Sequence, residues 1–369
     1  MILVDISGLL HKAIFNATKN LPQQQELHRP ETYKKVFLDS ILNELIETQT
    51  KYRFTFGELV ICFDYKGSDS YWRKDIYPAY KAQRKLTKTS QPFDYNDVYE
   101  MFEELKVQLE SNTPWKCVTA ERAEADDVIL VLSREIAPKL KAKTLIYSAD
   151  KDMIQAQYNN PKIEQYSHQT KKWLLPEDKY DDMSHWFLEH QCLGDLSDNV
   201  FNIVHNTEFS DNFKFYLKTK NIDECYHEVY KFRELDLELK KELLLNYNVF
   251  KKLKANQETP DKDIYKTIRF GPSGLKKSID KHGSLENFLN TNPIIKENFE
   301  RNYILVMEDG IPEYVKENIL MSYTKAKSVY NKNEFVKYLT NEGLFQIIQD
   351  LPTVFTEEVQ ELTIENCGW

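Results

Sequence analysis

The stretch Leu145-Ile146-Tyr147-Ser148-Ala149-Asp150-Lys151-Asp152 decides the fold, because a short apolar run ends there in two carboxylates. Two earlier stretches have the same form, Ile2-Leu3-Val4-Asp5 and Val60-Ile61-Cys62-Phe63-Asp64. Apolar runs of this length predict buried strands. Because helical patterns separate them, we expect an α/β fold with a right-handed, mostly parallel sheet covered by helices.

Acidic residues recur beyond these strands. The clusters Glu124-Ala125-Asp126-Asp127 and Asp195-Leu196-Ser197-Asp198-Asn199 should open a helix and form a tight turn. Since the carboxyl ends of parallel strands meet at one edge of a sheet, acids far apart in sequence should converge there. Crowded carboxylates repel one another and require a cation, and Mg²⁺, with Mn²⁺ as a substitute, suits oxygen ligands and phosphates.

Singly, each of these acids has a simpler explanation as a helix cap, a turn residue or a first-turn acid. Their recurrence in one chain favours two-metal phosphodiester chemistry. We expect Asp64, Glu124, Asp126 and Asp5 to hold the first ion. The second ion should be surrounded by the remaining five acids, which are Asp127, Asp150, Asp152, Asp195 and Asp198.

Composition allows a large core but leaves the partner open. The 369 residues are 41% hydrophobic and 29% charged, with a net charge of −9. The distribution is uneven, because residues 66–88 carry +5 and residues 334–369 carry −6. Five scattered cysteines and the lack of a signal peptide or long apolar run predict a reduced, cytoplasmic protein with no membrane partner.

The chain should divide near residue 200. Helices are predicted near 8–17, 31–50, 94–110 and 123–137, with a further strand at 115–118 and a helix from about 151. Beyond residue 200 the Leu, Lys, Glu and Tyr content predicts helices, including an inserted helical segment at 205–265.

Residues 70–85 combine cations with aromatic side chains directly after the Asp64 strand. A solvated surface helix is the simpler interpretation. Cations and aromatic rings at the acidic edge would also suit single-stranded nucleic acid. We predict that Lys81 and Arg84 contact the scissile phosphate and that Tyr80 stacks on a base.

A second basic element begins at Gly271-Pro272-Ser273-Gly274 and continues through Lys276 and Lys277. A Gly-Pro turn entering a Lys-rich helix directs backbone N–H groups and cations towards one place, which suits a duplex phosphate. A Pro-initiated helix with an exposed basic face is the alternative.

Seven of these motifs occur in the order seen in the 5′-nuclease superfamily of flap endonucleases and 5′-3′ exonucleases, which the chain resembles. They are Asp5-Ile-Ser-Gly-Leu-Leu, Cys62-Phe-Asp64, Tyr71-Trp-Arg-Lys-Asp75, Tyr80-Lys-x-x-Arg84, Glu124-Ala-Asp-Asp127, Ser148-x-Asp-x-Asp152 and Gly194-Asp-x-x-Asp-Asn199. The chain is most similar to the bacteriophage RNase H type, notably in Lys171-Lys-Trp173 and Asp309-Gly-Ile-Pro-Glu-Tyr314.

The resemblance implies a PIN-like catalytic core over 1–200 with a helical arch at about 66–93. It implies a mostly helical region over 201–369, with a DNA-binding helix-three-turn-helix at about 268–290. It also implies a Mg²⁺-dependent hydrolase that removes RNA primers and 5′ flaps during DNA replication. Among the predicted ligands, Asp126 and Asp150 would be catalytic together with Lys81 and Arg84. The predicted nucleic-acid contacts are Arg73, Tyr80, Lys81, Arg84, Lys85, Gly271, Gly274, Lys276 and Lys277.

One departure from the family concerns the hairpin. The resemblance also implies a K⁺ site near the helix-three-turn-helix. In this chain residues 205–265 separate the helix-three-turn-helix from the Asp195–Asp198 turn. The expected partners of a monomeric protein are flapped or branched DNA and RNA–DNA hybrid. A single-strand-binding protein or sliding clamp would dock on the acidic tail, which is equally well explained as a frayed terminus. Two alternatives stay open: a catalytically silent DNA-structure-binding module and a metal-dependent phosphatase.

Overall fold

The structure is a computed structural model that describes residues 1–19, 29–66, 70–78, 80–81, 93–158, 160–176, 183–204 and 270–355. The predicted insertion at 205–265, the residues Arg84 and Lys85, and the end of the acidic tail lie outside the described residues. No helix among the described residues is long and apolar enough to cross a membrane.

A six-stranded sheet with the order β3-β2-β1-β4-β5-β6 organises the first part of the fold. The first five strands run parallel, and β6 pairs antiparallel with β5. The bounds are β1 Ile2–Asp5, β2 Leu59–Phe63, β3 Lys116–Thr119, β4 Thr144–Tyr147, β5 Ile163–Ser167 and β6 Lys172–Leu174. Every residue of β1, β2 and β4 is buried, as expected for strands covered on both faces.

Helices make up most of the remaining described residues. They are α1 Ile6–Lys19, α2 Pro30–Phe56, α3 Arg73–Ile76, α4 Tyr95–Asn112, α5 Ala125–Val131, α6 Met183–Leu193, α7 Pro272–His282, α8 Leu285–Leu289, α9 Pro293–Val306, α10 Glu313–Lys325, α11 Lys332–Asn341 and α12 Phe345–Asp350. A π-helical turn, Leu132–Ile136, continues α5. Short 3₁₀ segments lie at Lys151–Gln157, Leu196–Asp198, Glu308–Gly310 and Leu351–Thr353.

Helix α2 shows how the apolar pattern builds the core. Phe37, Ile41 and Leu45 recur at four-residue spacing and are fully buried. Pro30 occupies the first turn, where its missing N–H costs nothing, and Gly57 with a φ of 90° ends the helix. The helix predicted over 31–50 is confirmed and extends to Phe56.

The chain forms two compact units. The first contains Met1–Trp72, Gln91–Asp181 and Ile311–Trp369, and the second contains Arg73–Ser90 and Asp182–Gly310. The expected division near residue 200 stays a prediction. Phe335, Leu339 and Leu344 are buried in the same hydrophobic cluster as β1 and α2, so the C-terminal helices complete the first core.

Four strands were predicted within about one residue, whereas β5, β6 and α6 were not predicted. The sequence of β5, Ile163-Glu-Gln-Tyr-Ser167, contains three polar residues that conceal its burial. The side chain of Gln165 is fully buried and donates to the backbone oxygens of Ser148, at 3.2 Å, and Asp150, at 2.6 Å. The helix predicted over 123–137 leaves α-geometry after Val131, and the helix predicted from 151 is a 3₁₀ helix.

Candidate metal centre and nucleic-acid interface

The ends of three neighbouring strands bring predicted acids of the first unit to one edge of the sheet. Asp5 is the last residue of β1 and lies in register with Cys62 of β2, two residues before Asp64. Val4 lies in register with Tyr147, the last residue of β4, three residues before Asp150. Because these strands run parallel, Asp5 at the end of β1 and Asp64 and Asp150 just after β2 and β4 lie at the carboxyl edge of the sheet, as predicted.

A shared hydroxyl connects Asp5 with Asp150. Ser148 Oγ donates to Asp5 Oδ2 at 3.0 Å and accepts the backbone N–H of Asp150 at 3.1 Å. The other carboxylate oxygen of Asp5 accepts the backbone N–H of Gly8 at 3.1 Å. Ser148 is fully buried and Asp5 is 8% exposed, so this connection fixes where β1 and β4 place their acids.

Asp64 is held by two donors from different elements. Its Oδ2 accepts the hydroxyl of Ser7 at 2.7 Å, and its Oδ1 accepts the backbone N–H of Ala125 at 2.8 Å. Ala125 is the first residue of α5 and lies between Glu124 and Asp126. The end of β2 is therefore joined directly to the acidic segment that the sequence analysis singled out.

Asp127 performs a structural task at the same helix end. Its Oδ2 accepts the backbone N–H of Glu124 and the indole N–H of Trp72, each at 3.0 Å. Asp127 is fully buried and Glu124 is 2% exposed. A metal contact by Asp127 stays a prediction, and its Oδ2 is already occupied by these hydrogen bonds.

The electrostatics of the edge disfavour charge on Asp5. Burial raises the pKa of Asp5 and the nearby charge of Asp64 adds to the increase, while hydrogen bonds from Gly8 and Ser148 oppose it. Burial also raises the pKa of the Cys62 thiol, with contributions from the charges of Asp5 and Asp126. Asp126 therefore lies close enough to this group to act on it electrostatically.

The donor chemistry of this edge fits a hard divalent cation. Among the described residues, no three His, Cys, Asp or Glu side chains surround a common point closely enough to hold an ion as they stand. Mg²⁺ in enzymes is usually held by one or two carboxylates, with waters and substrate oxygens completing its shell. Buried Asp5, beside Asp64, supplies carboxylate oxygens of this kind. The division of ligands between two ions stays a prediction.

The acids Asp195 and Asp198 belong to the second unit, where they form the predicted tight turn. Asp195 Oδ1 accepts the backbone N–H of Ser197 at 2.8 Å, and Asn199 closes the turn with a φ of 64°. Gly194 has a φ of 67°, and a Cβ built there would lie 2.5 Å from the backbone oxygen of Val200. The turn therefore requires glycine at position 194.

The basic segment after Trp72 is less accessible than its composition indicates. Arg73, Tyr80 and Lys81 are 6%, 3% and 3% exposed. Arg73 Nε donates to the backbone oxygen of Leu305 at 2.9 Å, and Tyr80 and Lys81 contact Asp198. The interpretation as a solvated surface helix is therefore wrong for these three residues. Their contact with a nucleic acid stays a prediction that requires the segment to open.

The predicted Lys-rich helix is confirmed as α7. Gly271 precedes it, Pro272 begins it and Gly283 ends it with a φ of 78°. Lys276 and Lys277 are exposed, whereas Leu275 is buried against Phe288 of α8 and against α6. A Cβ at Gly271 would meet no atom within 4 Å, so space does not require a glycine there. Phosphate binding by Gly271, Gly274 and the two lysines stays a prediction.

Two further residues near Asp5 were given no role by the sequence analysis. A Cβ built at Gly8 would lie 2.8 Å from His168 Nε2 and 3.0 Å from Asp5 Oδ2. His168 is fully buried and stacks on Tyr147, and neither ring nitrogen has a hydrogen-bond partner among the described residues. Burial lowers the pKa of His168 to about 4, with Lys12 contributing. The sequence signal for Gly8 was its position three residues after Asp5, and no sequence pattern indicated His168.

The first half of the chain is similar to a known protein family. Residues 1–183 match the family described as the 5′-3′ exonuclease, N-terminal resolvase-like domain. The similarity to 5′-3′ exonucleases therefore concerns about the first half of the chain. Ribonuclease H of Enterobacteria phage T4 is 25% identical over 212 residues, covering 56% of this chain and 64% of that protein. Flap endonuclease Xni of Shewanella oneidensis is 32% identical over 108 residues, covering 29% of this chain and 37% of that one.

The chain spans less than two thirds of the length of these relatives. It is also similar to two solved structures, each 16% identical and covering 88% of this chain and 99% of that one. The T5 5′-exonuclease with bound zinc has a TM-score of 0.45. The bacteriophage T5 D15 flap endonuclease in a complex with DNA and metal ions has a TM-score of 0.47.

Proposed function

We propose that this protein is a divalent-metal-dependent 5′ nuclease that hydrolyses phosphodiester bonds. The observation that carries the proposal is the hydrogen-bonded arrangement at the carboxyl edge, where Ser148 joins Asp5 to Asp150 and Ala125 joins Asp64 to α5. Carboxylates concentrated at a strand edge, with a raised pKa on the buried one, are typical of a cation site.

The residues of the first unit that would hold the ions are Asp5, Asp64, Glu124, Asp126, Asp127, Asp150 and Asp152, and those of the second unit are Asp195 and Asp198. Divalent cations, when bound, supply the positive charge that activates water for attack on a phosphodiester and stabilises the leaving oxygen. Ser7, Ser148 and the N–H groups of Gly8 and Ala125 keep the carboxylates oriented before any ion arrives. Because the carboxylates are already oriented, they need to move less when the reaction takes place.

The proposed substrates are flapped or branched DNA and RNA–DNA hybrid, as in removal of RNA primers and 5′ flaps during replication. Two relatives are named as a ribonuclease H and a flap endonuclease, which supports these substrates. Exposed Lys276 and Lys277 on α7 would contact duplex phosphates. Lys81 and Arg84 would contact the scissile phosphate, with Arg73, Tyr80 and Lys85 on the single strand. A K⁺ near α7 and docking of a clamp or single-strand-binding protein on the tail stay further proposals.

A 5′-end-labelled flap and a labelled RNA–DNA hybrid, each incubated with Mg²⁺ or with EDTA, test the proposal. We expect short labelled products only with Mg²⁺. Asp64→Asn should slow cleavage at least about a hundredfold, as loss of a catalytic metal ligand does, because it removes the charge. The amide oxygen still accepts the N–H of Ala125, and the amide N–H can donate to the hydroxyl oxygen of Ser7, so the local structure is kept. Asp39→Asn, at a half-buried position of α2 that contacts Asn43, is the matched control and should cleave normally.

The two alternatives give different results in the same experiment. Binding of the flap without cleavage at any Mg²⁺ concentration would favour the silent DNA-binding module. Release of phosphate from a small phosphomonoester, with the flap left intact, would favour the phosphatase.

A further inference from the structure

The carboxylate of Asp198 is occupied by two side chains of the segment that follows α3. Its Oδ2 accepts the hydroxyl of Tyr80 at 2.9 Å and lies 3.3 Å from the ammonium nitrogen of Lys81. A backbone bond runs in parallel, because the N–H of Lys81 donates to the backbone oxygen of Asp198 at 2.9 Å. One acid on the Asp195–Asp198 turn is thus contacted three times by two consecutive residues.

The surrounding structure holds this contact in place. Lys81 has a φ of 55°, in the left-handed region that side chains other than glycine adopt rarely. Such a conformation persists when neighbouring contacts determine it. The tyrosine ring of residue 80 is contacted by the Lys81 ammonium at 5.1 Å and by the Arg73 guanidinium at 5.7 Å. The Arg73 guanidinium in turn donates a hydrogen bond to the backbone oxygen of Leu305.

The position of the ammonium conflicts with both roles predicted for the pair. Lys81 is 3% exposed, so its cation cannot reach a phosphate while it remains at Asp198. A divalent cation bound to Asp198 Oδ2 would lie within a few ångströms of the same ammonium, and like charges at that separation repel strongly. Exchange of one cation for the other keeps the carboxylate neutralised throughout.

We propose that Lys81 is a built-in counter-ion of Asp198 that the binding of a divalent cation displaces. The released side chain then becomes available to a phosphate of the substrate. Binding of the ion to Asp198 is in this way coupled to the release of Lys81 for the scissile phosphate. This inference rests on the proposed function, because it takes Asp198 as a metal ligand and Lys81 as a phosphate contact.

Chemical labelling of lysines in the full-length protein, with no nucleic acid present, tests the displacement. The protein is treated briefly with an amine-acylating reagent at increasing Mg²⁺ concentrations, and the acylation of each lysine is followed by peptide mass spectrometry. We expect Lys81 to react at least about tenfold faster at saturating Mg²⁺ than in EDTA, since a buried paired amine becomes exposed. Exposed Lys276 and the Lys12 that pairs with Glu44 are internal controls, and their rates should stay constant.

Two variants separate displacement from a general loosening of the segment. Tyr80→Phe removes one hydrogen bond to Asp198, so the Mg²⁺ concentration for half-maximal labelling of Lys81 should fall about three- to tenfold. Asp198→Asn removes the charge, so Lys81 should react rapidly in EDTA and show no response to Mg²⁺. Circular dichroism confirms that both variants are folded.

Failure of this inference is distinguishable from failure of the proposed function. Protection of Lys81 at Mg²⁺ concentrations that support flap cleavage would overturn the displacement and leave the nuclease intact. Mg²⁺-dependent exposure of Lys81 in a protein that cleaves neither flap nor hybrid would support the displacement and overturn the nuclease. Equal acceleration of Lys81, Lys12 and Lys276 would also overturn the displacement.

Discussion

Replacing Asp5 by asparagine should stabilise the metal-free protein while abolishing its cleavage of nucleic acid. Asparagine has nearly the same shape and keeps both hydrogen bonds, since its amide oxygen accepts the N–H of Gly8 and its amide group donates to Ser148 Oγ. It removes the charge that burial and Asp64 disfavour. Two unit charges 4 to 8 Å apart repel by roughly 2 to 4 kcal/mol at an effective dielectric constant of 20.

The net gain is smaller than this repulsion, because hydrogen bonds to a neutral amide are weaker than those to a carboxylate by about 1 kcal/mol each. We therefore expect the free energy of unfolding in EDTA to rise by up to about 2 kcal/mol. That rise corresponds to a Tm increase of up to about 5 °C in a protein of this size. Thermal unfolding followed by circular dichroism, with Asp39→Asn as the control, measures it.

The pH dependence of this difference has a definite sign. A carboxyl whose folded pKa is raised above the ordinary 3.8 contributes stability that is present below that value and is lost as pH rises through the folded pKa. Wild type should therefore lose stability relative to Asp5→Asn as pH increases from 4. Addition of Mg²⁺ should reverse the order, because ion binding stabilises the folded wild type. A variant less stable than wild type in EDTA at neutral pH would refute the reasoning.

Three other substitutions test the packing around the acids. Gly194→Ala should lower the Tm and weaken Mg²⁺ binding measured by calorimetry, because its Cβ would meet the backbone oxygen of Val200 at 2.5 Å. Glu44→Gln should lower the free energy of unfolding in urea by about 1 to 2 kcal/mol, because Lys12 and the half-exposed Lys171 lose the charge of their partly buried carboxylate partner. Burial lowers the pKa of His168 to about 4, so between pH 6.5 and pH 4 only the unfolded imidazole gains a proton. The free energy of unfolding of the wild type should therefore fall by up to about 3 kcal/mol over that range. His168→Gln should lack this loss.

The sequence predicted those features that depend on local pattern. Strands β1, β2 and β4 are continuous apolar runs ending near an acid, and α2 has a regular apolar period, so both were visible without a structure. The position of Asp64 beside Ala125 follows from the parallel order of the strands, which the alternation of strands and helices implied.

Features that depend on distant residues were not visible. Lys81 lies in a basic stretch, and its burial is decided by Asp198, more than a hundred residues later in the chain. The burial of Gln165 depends on backbone oxygens of Ser148 and Asp150. Phe335 lies in α11, whose amphipathic pattern is shared by many helices and does not show which hydrophobic core the helix packs against. Local composition predicts exposure in such cases, whereas tertiary partners decide it.

The central claim is that acids remote in sequence bind divalent ions at the carboxyl edge of the sheet. Anomalous diffraction from crystals grown with Mn²⁺ tests it most directly, because the signal locates the ion without reference to activity. The account predicts a peak within coordination or water-mediated distance of Asp5 and Asp64 that disappears in Asp64→Asn. Full occupancy of Mn²⁺ elsewhere, with no peak at this edge in a protein that cleaves flaps, would contradict it.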